Sequence, residues 1–198
     1  QVACFPAQLV DCRAAVAWLR AHAEEYGLDG DRVGAWGASA GGHLVALLGV
    51  AGGRDEFQPP ETPGVSTRVQ AVCDWFGPTD FLQMDAHVLP GSPKDHDDPD
   101  SPESQLVGGP IQANVAAVQR ANPLTYVTAD APPFLVMHGT HDPLVPIHQS
   151  ELLVQALRAV GCRVAFERLE GVGHGGPGFQ RPEVLARVRS FFVAQFGG

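Results

Sequence analysis

Apolar residues Leu9, Cys12, Val16, Leu19 and Ala23 recur at three- and four-residue steps, and Gly27 closes the run. At 3.6 residues per turn this spacing puts them on one face, which predicts an amphipathic helix. The turn residues Asp29, Gly30 and Asp31 precede a short strand-like run at 32–36, and 40–50, rich in Ala and Leu, reads as a buried helix. Pro59, Pro60, Pro63 and Gly64 mark 54–67 as a surface loop. A second buried strand follows at 69–76 and ends at Gly77 and Pro78. The continuous apolar run 133–138 has the character of a strand covered on both faces of a parallel sheet. Leu153, Ala156, Leu157 and Val160 then share a helical face, with Gly161 at the C′ position. The alternation over 164–169 suits a half-exposed edge strand. A last helix starts near Pro182 and is expected to bury Leu185, Val188, Phe192 and Phe196. Strands alternating with helices predict an α/β fold with a mostly parallel sheet.

The exception is 81–122. Its second half carries eight prolines or glycines between Pro90 and Pro110, an acidic run at His96, Asp97, Asp98 and Asp100, and only weak helical periodicity near Val115 to Val118. It reads as an inserted cap or loop region in a single domain spanning 1–198, since 198 residues with 44% hydrophobic content suffice for one core.

Charge narrows the partners. Thirteen basic against twenty-two acidic residues give a formal charge of −9, which repels phosphate backbones and anionic lipid, so nucleic acid is excluded. No apolar stretch approaches the roughly 18 residues needed to span a bilayer. The chain starts at Gln1 without a signal peptide, and a removed one would leave the same start, so the compartment is not legible. Cys4, Cys12, Cys73 and Cys162 have neither disulfide-scaffold density nor zinc-ligand rhythm and are expected to be mostly buried thiols or one chance pair. Carboxylates in the acidic run could hold calcium, but the run lacks a recognised loop spacing and is read as a solvated cap loop. No metal is expected.

Gly37-Ala38-Ser39-Ala40-Gly41 matches the G-x-S-x-G nucleophile elbow and lies between a predicted strand and a predicted helix. Such a turn holds the serine in a strained conformation and brings the flanking glycines together, where side chains would collide. It also sets Ser39 at a helix N-terminus, where the Ala40 N–H is the expected oxyanion donor. A serine hydroxyl needs a base, and the base needs an acid to fix its tautomer. Asp142 follows the strand at 133–138, and His174 sits in the glycine-rich loop after the last strand, so Ser39, Asp142 and His174 each follow a different strand. Asp80, also past a strand end, is the rival acid. Among the other histidines, His43 is expected to pack under the elbow and His138 to hold the loop carrying Asp142.

These residues resemble the α/β-hydrolase esterases, and most of all bacterial acyl esterases of the feruloyl, acetyl-xylan and diacyl esterase group. The likeness rests on residues 34–43 around the elbow, 74–80, Ser101-Pro102-Glu103-Ser104, and the loops holding Asp142 and His174. It implies the C-terminal portion of an α/β-hydrolase fold, carboxylic ester hydrolysis through an acyl-enzyme without cofactor, and a small acyl-ester substrate, including acylated carbohydrate. It also implies that Trp75 and Phe76 line the acyl pocket. One departure is plain: the upstream His-Gly-Gly segment that gives such enzymes a second oxyanion N–H is not in this sequence. The expectation is therefore a domain that is N-terminally incomplete, finished by a missing segment or a second chain. A serine peptidase of the same fold and an inactive binding module stay open as alternatives.

Overall fold

The computed structural model describes residues 3–93 and 95–197. In chain order the helices and strands are α1 (Ala7–Ala21), α2 (Ala23–Tyr26), β1 (Gly34–Ala38), α3 (Ala40–Ala51), β2 (Ala71–Trp75), α4 (Pro102–Val107), α5 (Val115–Ala121), β3 (Phe134–Gly139), α6 (His148–Ala159), β4 (Val164–Leu169) and α7 (Pro182–Phe196). The four strands form one parallel sheet in the order β1-β2-β3-β4. Parallel neighbours need crossovers, and α3 and α6 supply two of them.

Alternation along the strands divides the core. Val72, Phe134 and Val136 face α1, α3 and α6 and pack with Leu9, Leu47, Leu153 and Leu157. Cys73, Trp75, Leu135 and Met137 face the opposite way, against Val184 and Val188 of α7. The result is a three-layer sandwich whose strands all present their carboxyl ends to one edge. Residues 81–122 contain α4 and α5 and a separate apolar cluster of Phe81, Met84, Ile111, Val118 and Ala121, which meets Val145 from the loop after β3.

Several elements differ from their sequence pattern. Strand β1 lies two residues later than predicted, because Gln70 binds both polar groups of Val33: its backbone N–H donates to the Val33 carbonyl and its Oε1 accepts from the Val33 N–H. Helix α1 stops at Ala21, and Leu19 is exposed, while Arg13 is buried in its place. That guanidinium donates to Thr67 Oγ1 at 2.7 Å, to the carbonyls of Arg54 and Gly52, and to Gln58 Oε1. Four acceptors offset the desolvation of the charge and tie the 52–67 loop to the helix. In α7 the buried stripe runs through Val184 and Val188, with Phe191 and Phe192 packed beside it. Leu185 is 41% exposed. A stripe through Leu185 shares Val188 and Phe192 with the observed one, and packing against the Trp75 side of the sheet selects between them. The four cysteines are unpaired, and only Cys73 is fully buried. Among the described residues no helix is long and apolar enough to cross a membrane.

Candidate active site

Ser39 joins β1 to α3 with φ 56° and ψ −122°, a region that non-glycine residues rarely occupy. Its N–H donates to the Trp75 carbonyl at 2.9 Å, and its carbonyl accepts the first helical bond, from the His43 N–H. The turn is tight at Gly37, where an added Cβ would lie 2.2 Å from the Gly41 oxygen. Gly41 itself has open space at the Cβ position, so the expected steric demand at that glycine is absent. The demand falls on Gly42, whose Cβ would meet Asp74 Oδ1 at 2.4 Å and Gly77 Cα at 2.8 Å. Close approach of α3 to the end of β2 is what excludes a side chain there.

The other two predicted residues arrive on loops that cross. An added Cβ at Gly139 would lie 2.2 Å from the Val172 oxygen, and the His141 N–H donates to that same carbonyl at 3.0 Å. The loop after β3 and the loop after β4 are thus bonded to each other before either side chain is considered. From them His174 Nδ1 donates to Asp142 Oδ2 at 2.7 Å, and His174 Nε2 accepts from Ser39 Oγ at 2.9 Å. With its proton fixed on Nδ1 by the carboxylate, the imidazole presents a lone pair to the hydroxyl.

Asp142 is 2% exposed. Burial pushes its pKa up, but hydrogen bonds from His138, His174, Val145 and Leu144 outweigh it and hold the carboxyl well below the usual carboxylate range. Oδ1 accepts from the Leu144 and Val145 N–H groups at 2.8 and 2.9 Å. Oδ2 also lies 3.3 Å from His138 Nε2, whose proton is shared with the Val145 carbonyl at 2.9 Å. Ser150 Oγ donates to the opposite nitrogen of His138. The rival Asp80 is occupied elsewhere: its carboxylate caps a turn by accepting from the Leu82 N–H and from Gln83 Nε2.

The two aromatic residues assigned to the acyl pocket occupy different places. Trp75 packs edge-on against Trp36 at 4.8 Å and beside Phe179, with Nε1 toward the Met137 sulfur, in the layer under α7. It serves the site through its backbone carbonyl, because strand alternation points its side chain away from α3. Phe76, at φ 44°, sets its ring edge-on to His174 with centroids 4.5 Å apart. It therefore walls the imidazole. A cavity of about 150 Å³ is lined by Ala40, the residue after Ser39, together with His43, Pro78, Phe81, Glu103 and Leu106. Glu103 lies in the Ser-Pro-Glu-Ser segment, where no local spacing marks it as a neighbour of His43 and Ala40.

The BD-FAE family model matches residues 1–157. The chain belongs to the BD-FAE family. Among curated relatives, this BD-FAE chain is 38% identical over 160 residues to the probable carboxylic ester hydrolase LipM of Mycobacterium tuberculosis, covering 79% of this chain and 35% of that protein. It is 34% identical over 172 residues to esterase LipC of the same organism, covering 86% of this chain and 41% of that one. The chain therefore spans well under half the length of these relatives. A solved structure of a truncated carbohydrate esterase from gut microbiota superposes with a TM-score of 0.86 at 32% identity, over 98% of this chain and 70% of that one. The butyrate-bound esterase Est2 of Thermogutta terrifontis matches with a TM-score of 0.68 at 26% identity, over 96% of this chain and 65% of that one. The fold of this BD-FAE chain is that of the α/β-hydrolase esterases.

Proposed function

We propose that this chain carries the nucleophile, base and acid of a serine carboxylic ester hydrolase that cleaves short-chain or aromatic acyl esters through an acyl-enzyme. The supporting observation is the unbroken hydrogen-bonded chain from Ser39 Oγ through His174 to Asp142. His174 Nε2 takes the Ser39 proton as Oγ attacks the ester carbonyl, and the oxyanion forms toward the Ala40 N–H at the start of α3. Asp142, kept ionised by its donors, stabilises the imidazolium. As the tetrahedral intermediate collapses, His174 returns the proton to the departing alcohol and leaves an acyl-Ser39. A water then loses a proton to His174 as it attacks the acyl carbon, and His174 returns that proton to Ser39 Oγ as the acid departs.

The substrate class favoured by the likeness to a carbohydrate esterase is an acylated carbohydrate. Residues 81–122 act as a cap, since Phe81, Glu103 and Leu106 wall the cavity beside Ala40. A second oxyanion N–H and a neighbour for β1 come from polypeptide outside these 198 residues. In support of this, β1 forms an edge of the sheet and its Trp36 is 49% exposed.

A fluorophosphonate probe tests the core of the proposal. Labelling is expected at Ser39, lost in Ser39→Ala and strongly slowed in His174→Ala. A purified protein that is never labelled has no working nucleophile. Turnover of p-nitrophenyl acetate with none of aminoacyl-nitroanilides is expected, and the reverse would make the protein a peptidase. Full activity from a protein whose intact mass matches 198 residues would remove the need for an outside segment.

A further inference from the structure

Three consecutive residues of the loop that carries Asp142 are held by residues 81–122. Ser92 Oγ donates to the Pro143 carbonyl, the His96 ring meets the Leu144 carbonyl, and Val145 packs with Phe81, Met84 and Ile111. The middle contact leads to the triad. The Leu144 carbonyl and the Val145 N–H belong to one peptide unit, which is planar and rigid. His96 Nε2 sits on its oxygen at 2.9 Å, and Asp142 Oδ1 accepts from its N–H at 2.9 Å. A donor at the oxygen therefore fixes the direction of that N–H and polarises the amide behind it.

His96 is 4% exposed, and its Nδ1 lies 3.1 Å from Glu103 Oε1 on α4. Both ring nitrogens thus face acceptors, a carboxylate and a carbonyl, and a neutral ring has only one N–H to give. Two protons on the ring satisfy both. Burial pushes the pKa of His96 down, but the hydrogen bond and charge of Glu103, with Asp85 and the Leu144 carbonyl, outweigh it and hold the imidazole above its ordinary value. Asp85 also anchors the backbone, accepting from the N–H groups of His96 and Asp97 at 3.0 and 2.8 Å. The other charged groups nearby are the exposed chain neighbours Asp95, Asp97 and Asp98, and Asp142 beyond the peptide unit. His43, near Glu103, adds no charge at neutral pH, because burial lowers its pKa to about 4.

We propose that His96 is a positioning residue for the triad: held as an imidazolium between Glu103 and the Leu144 carbonyl, it aims the Val145 N–H at Asp142 and couples turnover to its own proton. This rests on the ester-hydrolase reading. Because the folded pKa is raised, the tether is complete below the ordinary histidine range and is lost as pH rises through the folded value. A neutral ring keeps its remaining proton on Nδ1, where the acceptor is charged, and turns a lone pair toward the Leu144 carbonyl.

The pH profile of kcat for p-nitrophenyl acetate tests the coupling. The wild type is expected to lose about tenfold in kcat on an alkaline limb. In Glu103→Gln, which keeps an acceptor oxygen for Nδ1 but removes the charge, that limb should move to lower pH. In His96→Gln, which cannot titrate, kcat should fall by about tenfold with KM unchanged, and the limb should vanish. A wild type without the limb, or a wild-type profile that persists in both variants while their melting temperatures fall, would make His96 a strut of the cap and overturn the proposal. If His96→Gln does not fold, the shift in Glu103→Gln and a second arm decide. That arm needs no turnover: ring-nitrogen NMR of the Ser39→Ala protein should find His96 protonated on both nitrogens at pH 6, with a midpoint above that of histidine in a short peptide. The Val145 amide resonance should titrate with the same midpoint. Failure of all hydrolysis sinks the proposed function alone, and the NMR arm still decides His96. A ring that is neutral at pH 6, or a Val145 amide that does not follow it, overturns the proposal.

Discussion

Two buried carboxylates at the same edge of the sheet have opposite fates. Asp142 and Asp74 are 2% and 1% exposed, and desolvation raises the pKa of each. Asp142 lies on a loop whose own N–H groups, together with two imidazoles, point at it, and it stays ionised. Asp74 lies within β2, where the ladder has already used the neighbouring N–H groups. It receives one bond, from the Gly77 N–H at 2.9 Å, and its Oδ2 has no partner among the described residues. Burial raises its pKa to about 6, with the Gly77 bond and His138 opposing. Burial alone does not set a carboxylate's charge; the supply of donors does, and loops can supply what strands cannot.

The largest expected effect comes from emptying the favoured site. Asp142→Asn should lower kcat by about 10³- to 10⁴-fold while circular dichroism stays that of the wild type, because the base loses its tautomer control. Near-normal turnover would falsify the assignment and move the acid role to Asp80.

The next effect concerns Asp74 and pH. Its folded pKa lies above its unfolded value, so between about pH 4 and 6 the native state binds more protons and stability falls as pH rises. The loss reaches about 3 kcal/mol for a shift of about two units. Asp74→Asn should flatten that slope, so melting temperatures of variant and wild type should diverge in favour of the variant up to about pH 6. Parallel curves would show that Asp74 titrates normally. Asp142 contributes with the opposite sign: its stabilisation is complete above about pH 4 and is lost as pH falls toward its depressed folded value.

A smaller effect separates two adjacent glycines. Gly42→Ala forces a Cβ onto Asp74 Oδ1 and should cost about 1–3 kcal/mol, whereas Gly41→Ala enters open space and should cost less than about 1 kcal/mol. Urea midpoints of the two variants check this, and equal losses would mean that α3 can slide away from β2.

Much of this arrangement could be read along the chain. Periodicity placed the strands and the main helices to within a few residues, since side-chain spacing reflects whether a segment turns every 3.6 or every 2 residues. Ser39 stood out from its pentapeptide, and Asp142 and His174 from the strand ends they follow. The steric demand expected at Gly41 falls on Gly42, and α7 buries Val184 where Leu185 was expected, because both depend on which neighbour lies against the residue. The roles of Trp75 and Phe76 were illegible for the same reason.

The sequence by itself determined the alternating α/β class, the strand–turn–helix around Ser39 and the order of Ser39, Asp142 and His174, because each is set by spacing within a few residues or by position along the chain. Only the tertiary structure decided that His174 reaches Ser39 across 135 residues, that Arg13 is buried among four acceptors, and that His43 and Glu103 share a cavity. Hydrogen bonds and desolvation depend on distance in space, so the opposite departures of Asp74 and Asp142 from ordinary carboxylate titration arise only once the chain has folded around them.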